Sequence, residues 1–580
     1  MPNGWKVNLS KGNLLGLLII AVFIGMVTGC LAVAFRYLLH YAIELFWSEP
    51  TDIIGAAASM KWYIVLAIPV LGGIIIGPIV AFLAPETRGA GVPEVIETVV
   101  AKEGVIKHRT TFYKMLSTVI SIGTGASVGR EGPIVQIGSS VGSSVAQIIG
   151  LPPEWRRVFL ACGAAAGIAA TFNAPMAGML FAAEIILVDF QVSYLSHIAI
   201  SSITATVISY HFLGSLPTFI VPHYTLVSYW EIPLYILLGV LAGVVSIAFI
   251  RSVSRVENTF LRFKVPVFLR PAIGGFLVGL IAISVPHVLG VGYESVNMVL
   301  MAQTTVALMA VIIVLKVLAT AFSVGSGFSG GIFAPSLVMG SLLGGVFGSI
   351  ANSLFGGHIA SFPAYGLVGM GAVVAGTTLA PITAMLTIFE LTYDFEIILP
   401  LMTSCIASLV IVHRYYGYSF YETKLIKKGV RFVRGRDIHI LRSMRVGEYM
   451  EREYESIKEG MALGAILQLV EKSPYPHFPV LNDKGELVGM LSISDLKPIL
   501  AEMKDLCELL VAADIMTEDV VCLTLGDNFE TAFEVFEGKQ ISTLPVVRRK
   551  GGREILGILK KSTVLAAYNE KILKSDTFKK

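Results

Sequence analysis

Three short segments combine glycine and proline in a way that can bind an anion through the backbone. They read Gly89-Ala-Gly-Val-Pro-Glu94, Gly129-Arg-Glu-Gly-Pro133 and Gly330-Gly-Ile-Phe-Ala-Pro335. Glycine lets a ligand approach the backbone closely, and proline is well tolerated in the first turn of a helix. Each segment is therefore predicted to lead into a helix N-terminus, where free N–H groups and the helix dipole attract anions. Taken singly, each segment could also be only a tight turn between helices.

Glu131 lies inside the second segment, and its carboxylate could itself occupy the position of an anion. At an offset of 202 residues it aligns with Phe333, so the two would flank one pathway. Protonation would release the carboxylate, which makes Glu131 a candidate gate. The alternative is a structural ion pair with Arg130, although adjacent helical residues point about 100° apart.

An internal repeat relates the two halves of the first 425 residues. At an offset of 206, eight of the twenty positions in Ala165–Glu184 and Gly371–Glu390 are identical. At an offset of 202, identical pairs in residues 133–142 are Pro133/Pro335, Gly138/Gly340, Ser139/Ser341 and Gly142/Gly344. We interpret this as a duplicated unit with halves at about 11–213 and 232–425. Such duplications place a binding site at the repeat interface, near the middle of the membrane.

The elements that position these segments are predicted to be membrane helices. The 580 residues are 54% hydrophobic and 15% charged, whereas soluble domains are about a quarter charged. The last 155 residues carry 47 of the 85 Lys, Arg, Asp and Glu side chains, which leaves 38 for the first 425. Residues 317–389 contain none, and they are rich in glycine, serine and proline. A bilayer span needs about 20 apolar residues, so we expect several broken helices there, followed by a soluble domain.

Several function classes are disfavoured by composition. The net charge of +3, without a basic stripe, argues against nucleic-acid binding. The five cysteines are scattered, so we expect buried thiols and neither a disulfide framework nor a metal site. A cation transporter would need more inward-facing carboxylates than Glu131, Glu184 and Glu390. No catalytic triad or metal-ligand spacing indicates an enzyme.

The motifs together strongly resemble the CLC family of chloride channels and chloride/proton exchangers. They are GREGP at Gly129–Pro133, GxFxP at Gly331–Pro335, and NAPMAG followed by glutamate at Asn173–Glu184. The resemblance covers about Lys11 to Gly429 and continues into two cystathionine-β-synthase (CBS) domains. It implies an all-α membrane domain with an inverted repeat and broken, tilted helices, and then a cytoplasmic α/β pair. It also implies a homodimer in a lipid bilayer, with one chloride pathway per subunit and no required cofactor.

The resemblance implies a role for each matching residue. Glu131 would be the extracellular gate. The chloride-binding positions would be Gly129, Arg130, Gly132, Gly331, the amides of Ile332 and Phe333, and the Tyr421 hydroxyl.

Two departures bear on transport. Ala90 stands where the family usually has a serine whose hydroxyl binds the central chloride. Exchangers usually have a second, proton-accepting glutamate after the one at Glu184, and here that position is Ile185. Glu184 is expected to be a structural acid. We therefore expect chloride transport that is channel-like or weakly proton-coupled; the alternative is a coupled antiporter whose protons take another route.

The charged tail is predicted to contain two CBS domains, at 444–499 and 511–568, after a linker at 430–443. By resemblance, Ser492 and Asp495 would hold an adenine nucleotide, whereas the second copy has Lys560 and Thr563 at those positions. The alternative is a dimerisation module without a ligand. Basic residues before the first helix, Lys6 among them, favour cytoplasmic termini in a protein of the plasma membrane.

Overall fold

The computed structural model describes residues 14–49, 52–214, 219, 227–430, 444–473, 475–496, 509–539, 541–549 and 551–568. The chain divides into two compact units, Met1–Phe432 and Val433–Lys580, and each has its own hydrophobic core. The predicted linker lies outside the described residues except for Val430, and so do Lys6, Lys11 and residues 497–499.

The described part of the first unit is helical, with short 3₁₀ and π-helical turns between some helices. The helices are α1 (Leu14–Trp47), α2 (Ile53–Ser59), α3 (Trp62–Pro78), α4 (Val92–Ala101), α5 (Arg109–Gly123), α6 (Glu131–Ile149), α7 (Pro153–Phe172), α8 (Pro175–Phe181), α9 (Val192–Leu213), α10 (Ile232–Arg262), α11 (Arg270–Ser284), α12 (Tyr293–Leu300), α13 (Val306–Ser326), α14 (Phe333–Phe355), α15 (Phe362–Thr378), α16 (Pro381–Thr392), α17 (Ile398–Tyr415) and α18 (Phe420–Lys427).

Seven of the described helical segments are long and apolar enough to cross a bilayer. They are Leu15–Trp47, Trp62–Leu83, Val192–Leu213, Tyr229–Arg262, Val306–Ser326, Phe333–Phe355 and Ile398–Lys427. Large apolar side chains such as Leu15 and Phe82 are more than two-thirds exposed on these segments, as expected where lipid is the solvent. Cys30 of α1 is also exposed. The expectation of a buried thiol is wrong there, because the residue lies on an outward face of that apolar helix.

Other helices are short and begin inside the unit. The helix α4 has 10 residues, and α8 has 7 before it continues as the π-helical turn Ala182–Leu187. Proline occupies the first turn of α4, α8 and α16, where its missing N–H costs no hydrogen bond. These interrupted helices place several helix N-termini in the interior.

Glycine contacts hold the same pair of helices together in each half. A Cβ atom on Gly138 of α6 would meet the carbonyl oxygen of Gly163 on α7. In the second half, a Cβ atom on Gly340 of α14 would meet the carbonyl oxygen of Gly369 on α15. Only glycine allows the backbones of these helices to approach so closely. The two halves thus use the same packing device at equivalent positions.

The second unit contains two similar α/β motifs. The first comprises α19 (Val446–Tyr449), β1 (Ile457–Lys458), α20 (Leu463–Lys472), β2 (His477–Leu481), β3 (Leu487–Ser492) and α21 (Ile493–Leu496). The second comprises α22 (Ala512–Ile515), β4 (Leu523–Thr524), α23 (Phe529–Lys539), β5 (Thr543–Val547), β6 (Ile555–Lys560) and a helix at 561–568. In each motif the central strand pairs parallel to the first strand and antiparallel to the third.

Candidate anion-binding site

The three glycine segments meet at one place inside the first unit. Gly129 and Gly331 form a short antiparallel pair, with N···O distances of 2.7 and 2.6 Å. The Gly330 amide also donates to the Gly89 carbonyl at 3.1 Å. The starts of α4, α6 and α14 are thereby held together by backbone hydrogen bonds.

Gly132 shows how closely these segments approach. A Cβ atom at this position would lie 3.0 Å from the Gly331 Cα atom and would also collide with the Ala90 carbonyl oxygen. Gly91, which precedes α4, has a φ angle of +84°, a conformation that side chains rarely allow. The glycines are therefore needed for the contact between the three helix starts.

Glu131 is the first residue of α6, and its side chain reaches the N-terminus of α14. The residue is 1% exposed. Its Oε2 accepts a hydrogen bond from the Ala334 amide at 3.3 Å, and its Oε1 accepts one from the Tyr293 hydroxyl at 2.7 Å. The Arg130 guanidinium lies instead over the Tyr293 ring, 5.4 Å from its centre. The carboxylate thus contacts a helix N-terminus and a phenol, not the neighbouring arginine.

The other predicted chloride-binding groups surround this carboxylate. Ile332 and Phe333 are buried at the start of α14. Among the backbone hydrogen bonds of the described residues, none has either of their N–H groups as donor. Tyr421 is buried on α18 and interacts electrostatically with the Glu131 carboxylate. Ala90 is 5% exposed and has no side-chain donor. The structure therefore brings the predicted residues together around Glu131.

Two buried lysines near the site were missed from the sequence. Lys114 of α5 donates to the carbonyl oxygens of Thr87 and Gly89, at 2.9 and 2.8 Å. Lys316 of α13 donates to those of Val288 and Gly290, at 3.0 and 3.1 Å. Both lysines are fully buried. They bind matching loops, Gly89-Ala-Gly91 and Gly290-Val-Gly292, and so hold these loops in the same way in the two halves.

Hydroxyl groups in each half make equivalent hydrogen bonds to the other half. Thr118 Oγ1 contacts Ser329 Oγ at 2.9 Å, and Thr320 Oγ1 contacts Ser127 Oγ at 3.0 Å. In addition, the Ser329 amide donates to Ser121 Oγ and the Ser127 amide to Ser323 Oγ, at 3.1 and 3.0 Å. Because each contact recurs with the halves exchanged, the repeats are related by an approximate two-fold axis.

The sequence did contain the signal for these residues. At the same offset of 202, nine of the twenty positions in 114–133 and 316–335 are identical. The identical positions in the first half are Lys114, Leu116, Thr118, Ser121, Gly123, Gly125, Ser127, Gly129 and Pro133.

Glu184 and Glu390 form a reciprocal clamp between α8 and α16. Glu390 accepts hydrogen bonds from the amides of Met176 and Ala177 in the first turn of α8, at 2.9 and 2.6 Å. Glu184 accepts from the amides of Ile382 and Thr383 in the first turn of α16, at 3.3 and 2.7 Å. Each carboxylate thus satisfies the free N–H groups of the other helix.

Ile185 is 3% exposed and lies in the π-helical turn Ala182–Leu187. Its side chain has no ionisable group. The adjacent carboxylate, that of Glu184, is already bound to α16.

In the second unit, the predicted nucleotide-binding pair forms a local turn. The amide and the hydroxyl of Ser492 both donate to Asp495 Oδ2 at 2.8 Å. In the second motif the equivalent residues bind a carboxylate: Lys560 pairs with Glu451 at 2.6 Å, and Thr563 donates to Glu451 at 3.1 Å. The second position is thus filled by an internal ion pair.

Comparison with known proteins agrees with these features. Residues 72–413 match the family model for voltage gated chloride channels, and residues 446–502 and 511–570 match CBS domains. A protein of Ralstonia nicotianae named ClcB-like is 35% identical over 415 residues, which cover 71% of this chain and 97% of the relative.

Two solved structures have a fold similar to that of this chain. A slow cyanobacterial Cl⁻/H⁺ antiporter is similar with a TM-score of 0.65 and 26% identity, over 71% of this chain and 97% of that one. A eukaryotic CLC transporter has a TM-score of 0.68 and 21% identity, over 96% and 99% of the two chains. The fold class and the family resemblance predicted from the sequence are confirmed. The chain is therefore a multi-pass membrane protein of the CLC, or voltage-gated chloride channel, family, with two CBS domains after its membrane unit.

Proposed function

We propose that the chain transports chloride along a pathway past the starts of α4, α6 and α14, with Glu131 as its gate. The observation that carries this proposal is the position of the Glu131 carboxylate at the N-terminus of α14. It accepts the Ala334 amide there, beside the Ile332 and Phe333 amides, which donate to no described group. A carboxylate and a chloride ion would compete for the same donors, because both are anions that accept N–H groups.

Protonation of Glu131 removes its negative charge and frees the helix N-terminus for chloride. Uncharged N–H donors suit this task, since an ion must bind firmly enough to enter and weakly enough to leave. The buried Lys114 and Lys316 donate to carbonyl groups of the flanking loops and so hold the loops beside the pathway in place. Tyr421 would narrow the same pathway on the α18 side.

The gate is tested by chloride efflux from proteoliposomes at a series of pH values. Glu131→Gln and Glu131→Ala should keep chloride efflux but lose its dependence on pH, because the titrating group is gone. An unchanged pH profile in both variants would show that Glu131 is not the gate. Glu154→Gln, an exposed carboxylate on α7, is the matched control and should retain the normal profile.

We further propose that transport is uncoupled or weakly coupled to protons. Ile185 offers no proton acceptor, and Glu184 is bound by three donors from α16. The second candidate is a coupled exchanger, and it is favoured by the likeness to a structure described as a Cl⁻/H⁺ antiporter. Proton movement under a chloride gradient, with the voltage clamped by a potassium ionophore, separates the two. Uphill proton movement driven by chloride would establish exchange by a route that bypasses Ile185.

The chain is further proposed to work as a homodimer in the plasma membrane, with both termini in the cytoplasm and Glu131 towards the outside. The resemblance to the family and the lysines before α1 support this arrangement. Single-molecule photobleaching in liposomes would show two bleaching steps per complex. Protease access to the tail in oriented vesicles would test its side.

At the CBS domains we propose one adenine-nucleotide site, at the Ser492–Asp495 turn. At the second position Glu451 is already paired with Lys560. A titration of the full chain with ATP should show binding that Asp495→Ala weakens. No binding at millimolar concentration would favour a dimerisation module without ligand.

A further inference from the structure

Tyr293 is the direct side-chain partner of Glu131, and no motif had pointed to it. Its hydroxyl donates to Glu131 Oε1 at 2.7 Å, shorter than the 3.3 Å bond from the Ala334 amide to Oε2. Tyr293 is the first residue of α12, directly after Gly292, whose φ angle is +88°. This loop is the second copy of the glycine segment before α4, so the repeat places a phenol beside the gate.

The Tyr293 ring is fixed by neighbours on several sides. The Arg130 guanidinium lies 5.4 Å from the ring centre, within the range of a cation–π interaction. The Phe219 ring contacts it edge-on with a centroid distance of 5.2 Å. Lys316 holds the preceding loop through the Gly290 carbonyl. The hydroxyl is therefore presented to Glu131 by a ring with little freedom to turn away.

We propose that Tyr293 is the latch of the pathway: its hydroxyl holds the Glu131 carboxylate at the N-terminus of α14, and each opening breaks this bond. The inference rests on the proposed role of Glu131 as gate and adds the residue that sets how readily the gate opens. Tyr293 acts through Glu131 and is a positioning residue. It favours the charged, closed carboxylate, because a phenol donates a stronger hydrogen bond to a carboxylate than to a carboxylic acid.

The charged and titratable groups around the latch come from two further helices and from the residue before α6. Arg130 directly precedes α6 and interacts electrostatically with Glu131. Arg36 of α1 interacts with Arg130 and Tyr293, and Tyr421 of α18 interacts with Glu131. Substituting the hydroxyl alone leaves all three in place. Tyr293→Phe is therefore the cleanest perturbation.

The test is chloride efflux from proteoliposomes against pH for wild type, Tyr293→Phe, Glu131→Ala and the double variant. Loss of one hydrogen bond to a charged group changes an equilibrium by about tenfold or more, so half-maximal efflux should move up by about one pH unit. Efflux at low pH should stay at the wild-type level, which also shows that the variant is folded. In the Glu131→Ala background, Tyr293→Phe should have no effect on the pH profile.

The matched control is Tyr365→Phe, which removes a buried phenol that donates to another carboxylate, Glu231, at 3.1 Å. It should not shift the profile. A Tyr293→Phe profile equal to wild type, or efflux lost at every pH, would overturn the latch while leaving the gate in place. A Glu131→Ala variant that keeps its pH dependence would instead overturn the gate itself.

Discussion

Replacing Glu184 by glutamine keeps the shape of the side chain and removes its charge. In the folded chain, Glu184 Oε2 accepts the amide and the hydroxyl of Thr383, both at 2.7 Å, and Oε1 accepts the Ile382 amide at 3.3 Å. Glutamine has one carbonyl oxygen to replace Oε2, but its amino group cannot accept the Ile382 amide. A hydrogen bond to a charged group contributes about 1.5–3 kcal/mol, and a neutral one about 1 kcal/mol.

Weakening the bonds to Thr383 and losing the one to Ile382 should together cost roughly 2–3 kcal/mol. The favourable interaction of the charge with the start of α16 is lost as well, at about 0.3–1 kcal/mol. Glu184→Gln should therefore lower the free energy of unfolding of the membrane unit by about 2–4 kcal/mol. Chemical denaturation in detergent, followed by tryptophan fluorescence, measures this change.

Glu154→Gln serves as the control, since that carboxylate is exposed and, among the described residues, accepts a hydrogen bond from Tyr194 alone. It should change the free energy of unfolding by less than about 0.5 kcal/mol. An equally small effect of Glu184→Gln would refute the clamp. Proton movement in liposomes provides a second readout: if Glu184→Gln abolished it at unchanged stability, Glu184 would be a proton carrier and its structural role would be wrong.

Three further outcomes are expected. Ala90→Ser adds a hydroxyl donor at the position of the family's central serine and should tighten chloride binding by about 1.5–3 kcal/mol in calorimetry; unchanged affinity would place the bound ion elsewhere. Gly132→Ala should abolish chloride efflux, because the added Cβ would lie 3.0 Å from the Gly331 Cα atom, whereas Gly460→Ala, with open space around it, should not. Burial lowers the pKa of His477, so the second unit should lose stability as the pH falls below about 6.5, where the unfolded chain takes up the proton; His477→Gln should flatten that dependence in thermal unfolding of the full chain.

Much of the candidate site could be predicted because its signals are local. Glycine and proline spacing around Glu131 and Phe333 indicates loops that lead into helix N-termini, since these residues constrain the backbone wherever they occur. The near absence of charge over residues 317–389 indicates membrane helices for the same kind of reason. Tyr293 was missed because a single tyrosine carries no local signature of its partner. Lys114 and Lys316 are an identical pair of the repeat, which indicates that they are equivalent but not which carbonyl groups they bind.

The helices, the repeat, the family and the types of group that line the site can all be predicted from the amino-acid sequence. This is possible because hydrophobicity, backbone constraints and duplication all depend on residue types and their spacing in the sequence. The contacts between these groups depend on the three-dimensional fold: Tyr293 bonds to Glu131 across 162 residues, and Thr383 bonds to Glu184 across 199. These partners lie on different helices, and folding one repeat against the other brings them within hydrogen-bonding distance. The donors around the Glu131 carboxylate are therefore a property of the folded unit and not of any one segment.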